Sequence, residues 1–262
     1  MSPRYTVLDP SGNVTILVTD PVAPADRPAL AAALLARESR AEQLGFLETP
    51  GPNCQVRVCM AGGEFCGNAA LCAAVLYGAQ QGERSVLVGM SGAETPLRVS
   101  LREQDGGWLG RVEMPLPHEI YTRRFSLDGE SFSLPVVKLP GITHLILRQA
   151  MAPAAAERAV KLWCRELGAA ALGLMMLDEA QMRLRPLVYV PGADTLYWER
   201  SCASGTAAVG AALALLQGKS LQLKLEEPGG WLGVEALAQS GRLVSLSLEN
   251  RVFWSGKFVE SP

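Results

Sequence analysis

The sequence has little that would mark a nucleic-acid binder, a membrane protein or a metalloprotein. Its 262 residues hold two histidines, His118 and His144, and none of the six cysteines forms a Cys-x-x-Cys pair. No zinc-ligand pattern can be assembled from such a set. No basic run exceeds two residues and no stripe of Lys and Arg alternates with aromatics, which are 6% of the chain; no nucleic-acid partner is expected. The longest apolar stretch, residues 211–216 with 207–209 before it, is short and interrupted by Gly210, so no membrane span is expected. No charged segment followed by an apolar one opens the chain, and the expected compartment is the cytoplasm. A Gly-x-Gly-x-x-Gly turn, a phosphate loop and a lysine in a Schiff-base setting are missing too, so no cofactor is expected.

What remains is an apolar chain (48%) with 19% charged residues and a net charge of −2. Short apolar runs bounded by Gly, Pro, Asn and Asp predict strands at residues 15–18, 85–88, 97–101, 111–114, 145–147, 187–190, 221–225 and 243–248. Two amphipathic helices are expected, at 27–43 and 154–167, the second opened by Pro153. The order of elements repeats. Each half carries a turn of similar sequence (Pro10-Ser11-Gly12-Asn13 and Pro140-Gly141-Ile142-Thr143), a small-residue helix expected to end at Gly78 or Gly218, and a later Gly-containing turn. Two homologous α/β lobes are therefore expected. They would span residues 1–118 and 119–262, with the last strand able to cross back into the first lobe.

Cys66 and Cys202 sit in matching places of the two halves, each just before one of these helices. The unpaired N–H groups and the dipole of a helix start favour a thiolate. Gly67 and Asn68, or Ser204 and Gly205, let such N–H groups approach a carboxylate closely. A carbon held between two thiols can lose a proton on one face and regain it on the other, which is the chemistry of racemisation. The other four cysteines, Cys54, Cys59, Cys72 and Cys164, read as small core hydrophobes.

These residues resemble the diaminopimelate epimerase-like superfamily along essentially the whole chain. Gly12-Asn13 resembles the Gly-Asn-Asp-Phe of its N-terminus, and Ala41-Glu42-Gln43-Leu44 its Ala-Asp-Gln-Leu. Cys66-Gly67-Asn68 is similar to the first catalytic motif, Glu199-Arg200 with Cys202-Ala203-Ser204-Gly205 to the second, and Pro228-Gly229-Gly230 to a late turn. The resemblance implies an α/β (α+β) fold of two pseudo-symmetric lobes, each a barrel-like sheet around a central helix. It implies Cys66 and Cys202 as acid and base, with His144 near the thiols and Glu199 near the substrate amine. Asn13, Gln43, Gly67, Asn68, Arg200, Ala203, Ser204 and Gly205 would line the substrate. The implied partners are a small amino acid and, as relatives often form, a homodimer.

Departures narrow the substrate. The superfamily's distal asparagines are replaced by Ile142 and Ala171, and only Arg200 persists. A distal carboxylate would be left unpaired there, which disfavours diaminopimelate. Asn68, where proline racemases usually carry His, argues for a primary amine, and the two cysteines argue against the phenazine-type isomerases. The Gly-Gly-Glu-Phe-Cys-Gly-Asn run is most similar to the histidine racemases, making histidine the expected substrate. The rivals are a diaminopimelate epimerase, a one-thiol isomerase or dehydratase, and an amino-acid-binding or thiol-redox protein. Glu38 and Glu64 read as solvated.

Overall fold

A computed structural model describes residues 3–261. The chain divides into two compact units, one formed by residues up to Glu113 with Glu249 onward, the other by Met114–Leu248.

In unit one the order is β1 (Arg4–Asp9), β2 (Val14–Val18), α1 (Arg27–Arg37), β3 (Ala41–Glu48), β4 (Val56–Met60), α2 (Gly67–Gln81), β5 (Ser85–Met90), β6 (Leu97–Gln104) and β7 (Gly107–Glu113). Unit two carries β8 (Glu119–Leu127), β9 (Glu130–Leu139), β10 (Ile142–Leu147), α3 (Pro153–Leu167), β11 (Leu172–Asp178), β12 (Arg183–Val190), β13 (Thr195–Trp198), α4 (Ala203–Gln217), β14 (Leu221–Glu227) and β15 (Gly230–Gln239). The final strand, β16 (Arg242–Glu260), begins in unit two and ends in unit one.

The pairings repeat as the element order does. In unit one β1–β2 is antiparallel, β2–β3 parallel, β3–β4 antiparallel, β4–β5 parallel and β5–β6 antiparallel. The same alternation runs through β9–β10, β10–β11, β11–β12, β12–β14 and β14–β15. The end of β16 pairs with β1 as well as β7, closing unit one into a ring of eight strands. Unit two orders its strands β16-β15-β14-β12-β11-β10-β9-β8, with β13 beside β12.

Two kinds of helix result from two kinds of sequence. α3 shows one apolar stripe, Ala156, Ala159, Val160, Trp163 and Cys164, at the i, i+3, i+4, i+7, i+8 spacing of a surface helix. Its Trp163 ring lies 5.3 and 5.6 Å from those of Phe125 and Phe132. α2 and α4 contain no charged residue and are buried on every face over most of their length, as expected of helices enclosed by a sheet. Their Ala, Gly, Ser and Thr side chains keep them thin enough for strands to wrap. No helix among the described residues is long and apolar enough to cross a membrane.

Two helix ends differ from expectation. The segment 27–43 stops being helical at Arg37, and its tail becomes the start of β3. Glu38 leaves helical geometry, accepts the Ala41 N–H at 2.7 Å through its carbonyl, and takes the Tyr5 hydroxyl on its carboxylate at 2.9 Å. Parallel pairing with β2 then buries Leu44 and Phe46 on alternate positions. The helix expected to end at Gly78 runs one turn further to Gly82, whose φ of 72° suits glycine.

Candidate active site

Cys66 is the N-cap of α2, in extended conformation, with its sulfur accepting the Ala69 N–H at 3.4 Å. Its Sγ also lies 2.9 Å from Gln43 Oε1, which accepts from it. Gln43 in turn donates Nε2 to Asn13 Oδ1 at 2.6 Å and to Thr15 Oγ1 at 2.7 Å. Asn68, buried on the first turn, donates to the same Asn13 oxygen at 2.9 Å. Thus Asn13, Gln43, Cys66, Gly67 and Asn68 form one cluster in unit one. Glu64, expected to be solvated, is half-buried instead. Its Oε2 has no hydrogen-bond partner, and burial pushes its carboxyl up.

Cys202 occupies the equivalent N-cap of α4 in nearly the same backbone conformation. The Glu227 carboxylate braces this helix start from the end of β14: Oε2 accepts the Cys202 N–H at 2.7 Å, and Oε1 accepts the Thr206 hydroxyl. Ser204 Oγ is 3.7 Å from the Cys202 sulfur and 3.0 Å from His144 Nε2. His144 is completely buried, its Nδ1 has no partner, and burial lowers its pKa to about 3, so the imidazole is neutral. Glu199 interacts with the Cys202 thiol. Arg200 is exposed, and its carbonyl accepts the Gly229 N–H at 2.7 Å, tying the strand end to the Pro228–Gly230 turn. His144, Glu199, Cys202, Ala203, Ser204 and Gly205 thus form the cluster of unit two.

The expected electrostatics do not hold at Cys202. A helix start favours the thiolate, but burial pushes this thiol well up, and the Glu199 and Glu227 carboxylates push it further. The Gly205 N–H opposes them only in part. Glu227 is itself raised to about 8 by burial.

The family model for the histidine racemase CntK N-terminal domain matches residues 4–257. The chain belongs to the histidine racemase family. It is similar to the histidine racemase of Fusobacterium nucleatum subsp. nucleatum, 29% identical over 242 residues that cover 87% of each protein. To that of Staphylococcus aureus it is 26% identical, over 79% of this chain and 78% of that one. In fold it is similar to a hydroxyproline epimerase from Agrobacterium vitis, with a TM-score of 0.70 at 13% identity, covering 99% of this chain and 94% of that one.

Three further residues support this candidate site from positions that no sequence motif marks. Glu227 directly precedes the Pro228-Gly229-Gly230 turn, yet nothing local marks it as the partner of Cys202. Thr206 lies one turn into α4. Asn250, near the chain's end, donates to Asn68 Oδ1 at 3.0 Å and accepts from Ser11 at 2.6 Å.

Proposed function

We propose that this protein is a cofactor-independent amino-acid racemase that interconverts L- and D-histidine. The observation that carries the reading is the duplicated one: each unit ends an extended segment in a cysteine at the N-cap position of a buried, small-residue helix. In the proposed reaction one sulfur, as thiolate, takes the α-proton. The charge left on carbon spreads into the α-carboxylate, and the other sulfur, as thiol, delivers a proton to the opposite face. Roles exchange in the reverse direction, and the pair titrates as a unit.

The first-turn N–H groups at Gly67, Asn68, Ser204 and Gly205 have no acceptor within an α-helix. They are assigned to the substrate carboxylate, where they stabilise the carbanion's delocalised charge. Since burial and the Glu199 and Glu227 carboxylates favour the Cys202 thiol, the positive charge that favours a thiolate is assigned to the substrate's own α-ammonium. Glu199 is assigned to that ammonium. His144, buried and neutral, enters as a positioning residue for Ser204 rather than as an acid or base. A cytoplasmic location goes with this reading, and a homodimer is carried over from the family resemblance.

The test is isotope exchange. Reduced protein is incubated in D₂O with L-histidine, diaminopimelate and a panel of other L-amino acids. Loss of the histidine α-proton together with formation of D-histidine is expected. Exchange without inversion would indicate one working thiol. Silence across the panel, with protein folded and thiols free, would overturn the reading.

A further inference from the structure

Seven side chains around Cys66 form a chain of hydrogen bonds whose direction is set by a carboxylate at one end, with the Thr15 hydroxyl, committed to the Asn13 backbone carbonyl at 3.0 Å, accepting in the same sense. An amide presents either its carbonyl or its NH₂ to a neighbour, whereas a carboxylate can only accept. Glu42 Oε2 lies 2.6 Å from Asn13 Nδ2, so Asn13 must turn its NH₂ to Glu42 and its carbonyl inward. That carbonyl oxygen is met by Asn68 Nδ2 and by Gln43 Nε2. Both must therefore donate. Gln43, with its NH₂ committed to Asn13 and Thr15, has only its carbonyl left for Cys66. Asn68, likewise, turns its carbonyl to Asn250, which takes the Ser11 hydroxyl.

We propose that Glu42 is a positioning residue which, through Asn13, fixes the carbonyl end of Gln43 against the Cys66 sulfur. The consequence is chemical. A carbonyl beside sulfur is an acceptor for S–H and favours the thiol; an NH₂ there would favour the thiolate. Glu42 thus favours the thiol form of Cys66 through Asn13 and Gln43. Within unit one, Cys72 is also coupled to Cys66, and burial keeps its thiol protonated; Asp9 acts on Cys72. Neither sets the orientation of an amide in the chain.

The inference matters to catalysis through the two-cysteine reading, but its test reads Cys66 directly and can fail independently. In a Cys202→Ser background, the rate of iodoacetamide labelling at the Cys66 peptide is followed against pH by mass spectrometry. Glu42→Gln removes the fixed acceptor and is expected to move the labelling midpoint down by about one pH unit. Removing a negative charge would do something similar through space, so the same substitution is repeated in Gln43→Leu. If Glu42 acts through the amides, Glu42→Gln changes nothing further there. Asn13→Ala cuts the chain without altering charge and is expected to shift the midpoint the same way, which keeps the test available if Glu42→Gln folds poorly. Equal shifts with and without Gln43, or no shift in either Glu42→Gln or Asn13→Ala, would overturn the proposal.

Discussion

Glu227 accepts the backbone N–H of Cys202 at 2.7 Å, whereas at the equivalent helix start Cys66 accepts the Ala69 N–H through its own sulfur. Both sulfurs take the N–H three residues on, Ala69 or Gly205, but at Cys202 a carboxylate also holds the cysteine's own N–H. Glu227→Ala leaves the Cys202 N–H and the Thr206 hydroxyl without that acceptor, at an expected cost of about 3 kcal/mol. Glu227→Gln can still accept from Cys202 and donate to Thr206, and should stay within about 1 kcal/mol of wild type at pH 5.

The same carboxyl gives stability a pH dependence of known sign. Its pKa rises from an ordinary 4.5 to about 8 on folding. The unfolded chain releases this proton first, so the contribution is whole below pH 4.5 and is lost as pH rises through 8. Wild type should lose up to about 1.4 kcal/mol per pH unit across that window relative to Glu227→Gln. Urea melts of both proteins at pH 5, 6.5 and 8 measure it. A constant difference between them would contradict the assignment.

Gly173 is a glycine because His144 lies where its side chain would start. Met175 crowds the same point, with its Cε 2.8 Å from an ideal Cβ. Gly173→Ala should displace the imidazole from Ser204, cost about 1–3 kcal/mol in stability, and lower kcat roughly 100-fold by misplacing the second helix start. Turnover near wild type would remove His144 from the mechanism. Because His144 is neutral down to about pH 3, no limb of the pH–rate profile near pH 6–7 should vanish in His144→Gln.

Loss of either Cys66 or Cys202 should abolish inversion, since a serine hydroxyl is far too weak an acid or base here; a fall of about 10³-fold or more is expected. Replacing the buried Cys72 or Cys164 with Ala should lower Tm while leaving kcat near wild type. Chiral chromatography of histidine after incubation distinguishes the two sets. A fully active Cys66→Ser protein would favour the one-thiol reading.

Gly78 and Gly82 separate two reasons for a glycine near a helix end. Gly82 has φ of 72° with open space around it, so Ala there is expected to cost about 1–2 kcal/mol. Gly78 is helical, but an added Cβ would lie 2.7 Å from the Glu83 carbonyl oxygen and 2.6 Å from Leu101. The Gly78→Ala cost should exceed that of Gly82→Ala, as thermal melts of the pair would register.

The two cysteines, their helices and the duplicated architecture were legible because their signals are local: a reactive residue before a run of small ones, a proline at Pro153, a glycine at Gly218. The helix expected over 27–43 overshoots because nothing in residues 38–43 marks a stop, and only pairing with β2 makes Ala41–Gln43 the start of a strand. Glu227 and Asn250 were not legible at all. Their partners Cys202 and Asn68 lie 25 and 182 residues away, and neither distance leaves a trace in composition or spacing. Glu64 runs the other way: a charged residue in a glycine-rich turn usually faces water, and here its Oε2 is enclosed.

The strand β16 has a consequence for how the protein is made. The segment that closes the eight-strand ring of unit one, residues 249–260, is translated after everything in unit two. On the ribosome the nascent β1 and β7 therefore keep open edges, the kind that invite wrong pairing, while the downstream half can already fold. Asn250 arrives with that closing segment, so the polar support around Asn68 and Cys66 is also completed last. The half begun first is the half finished second.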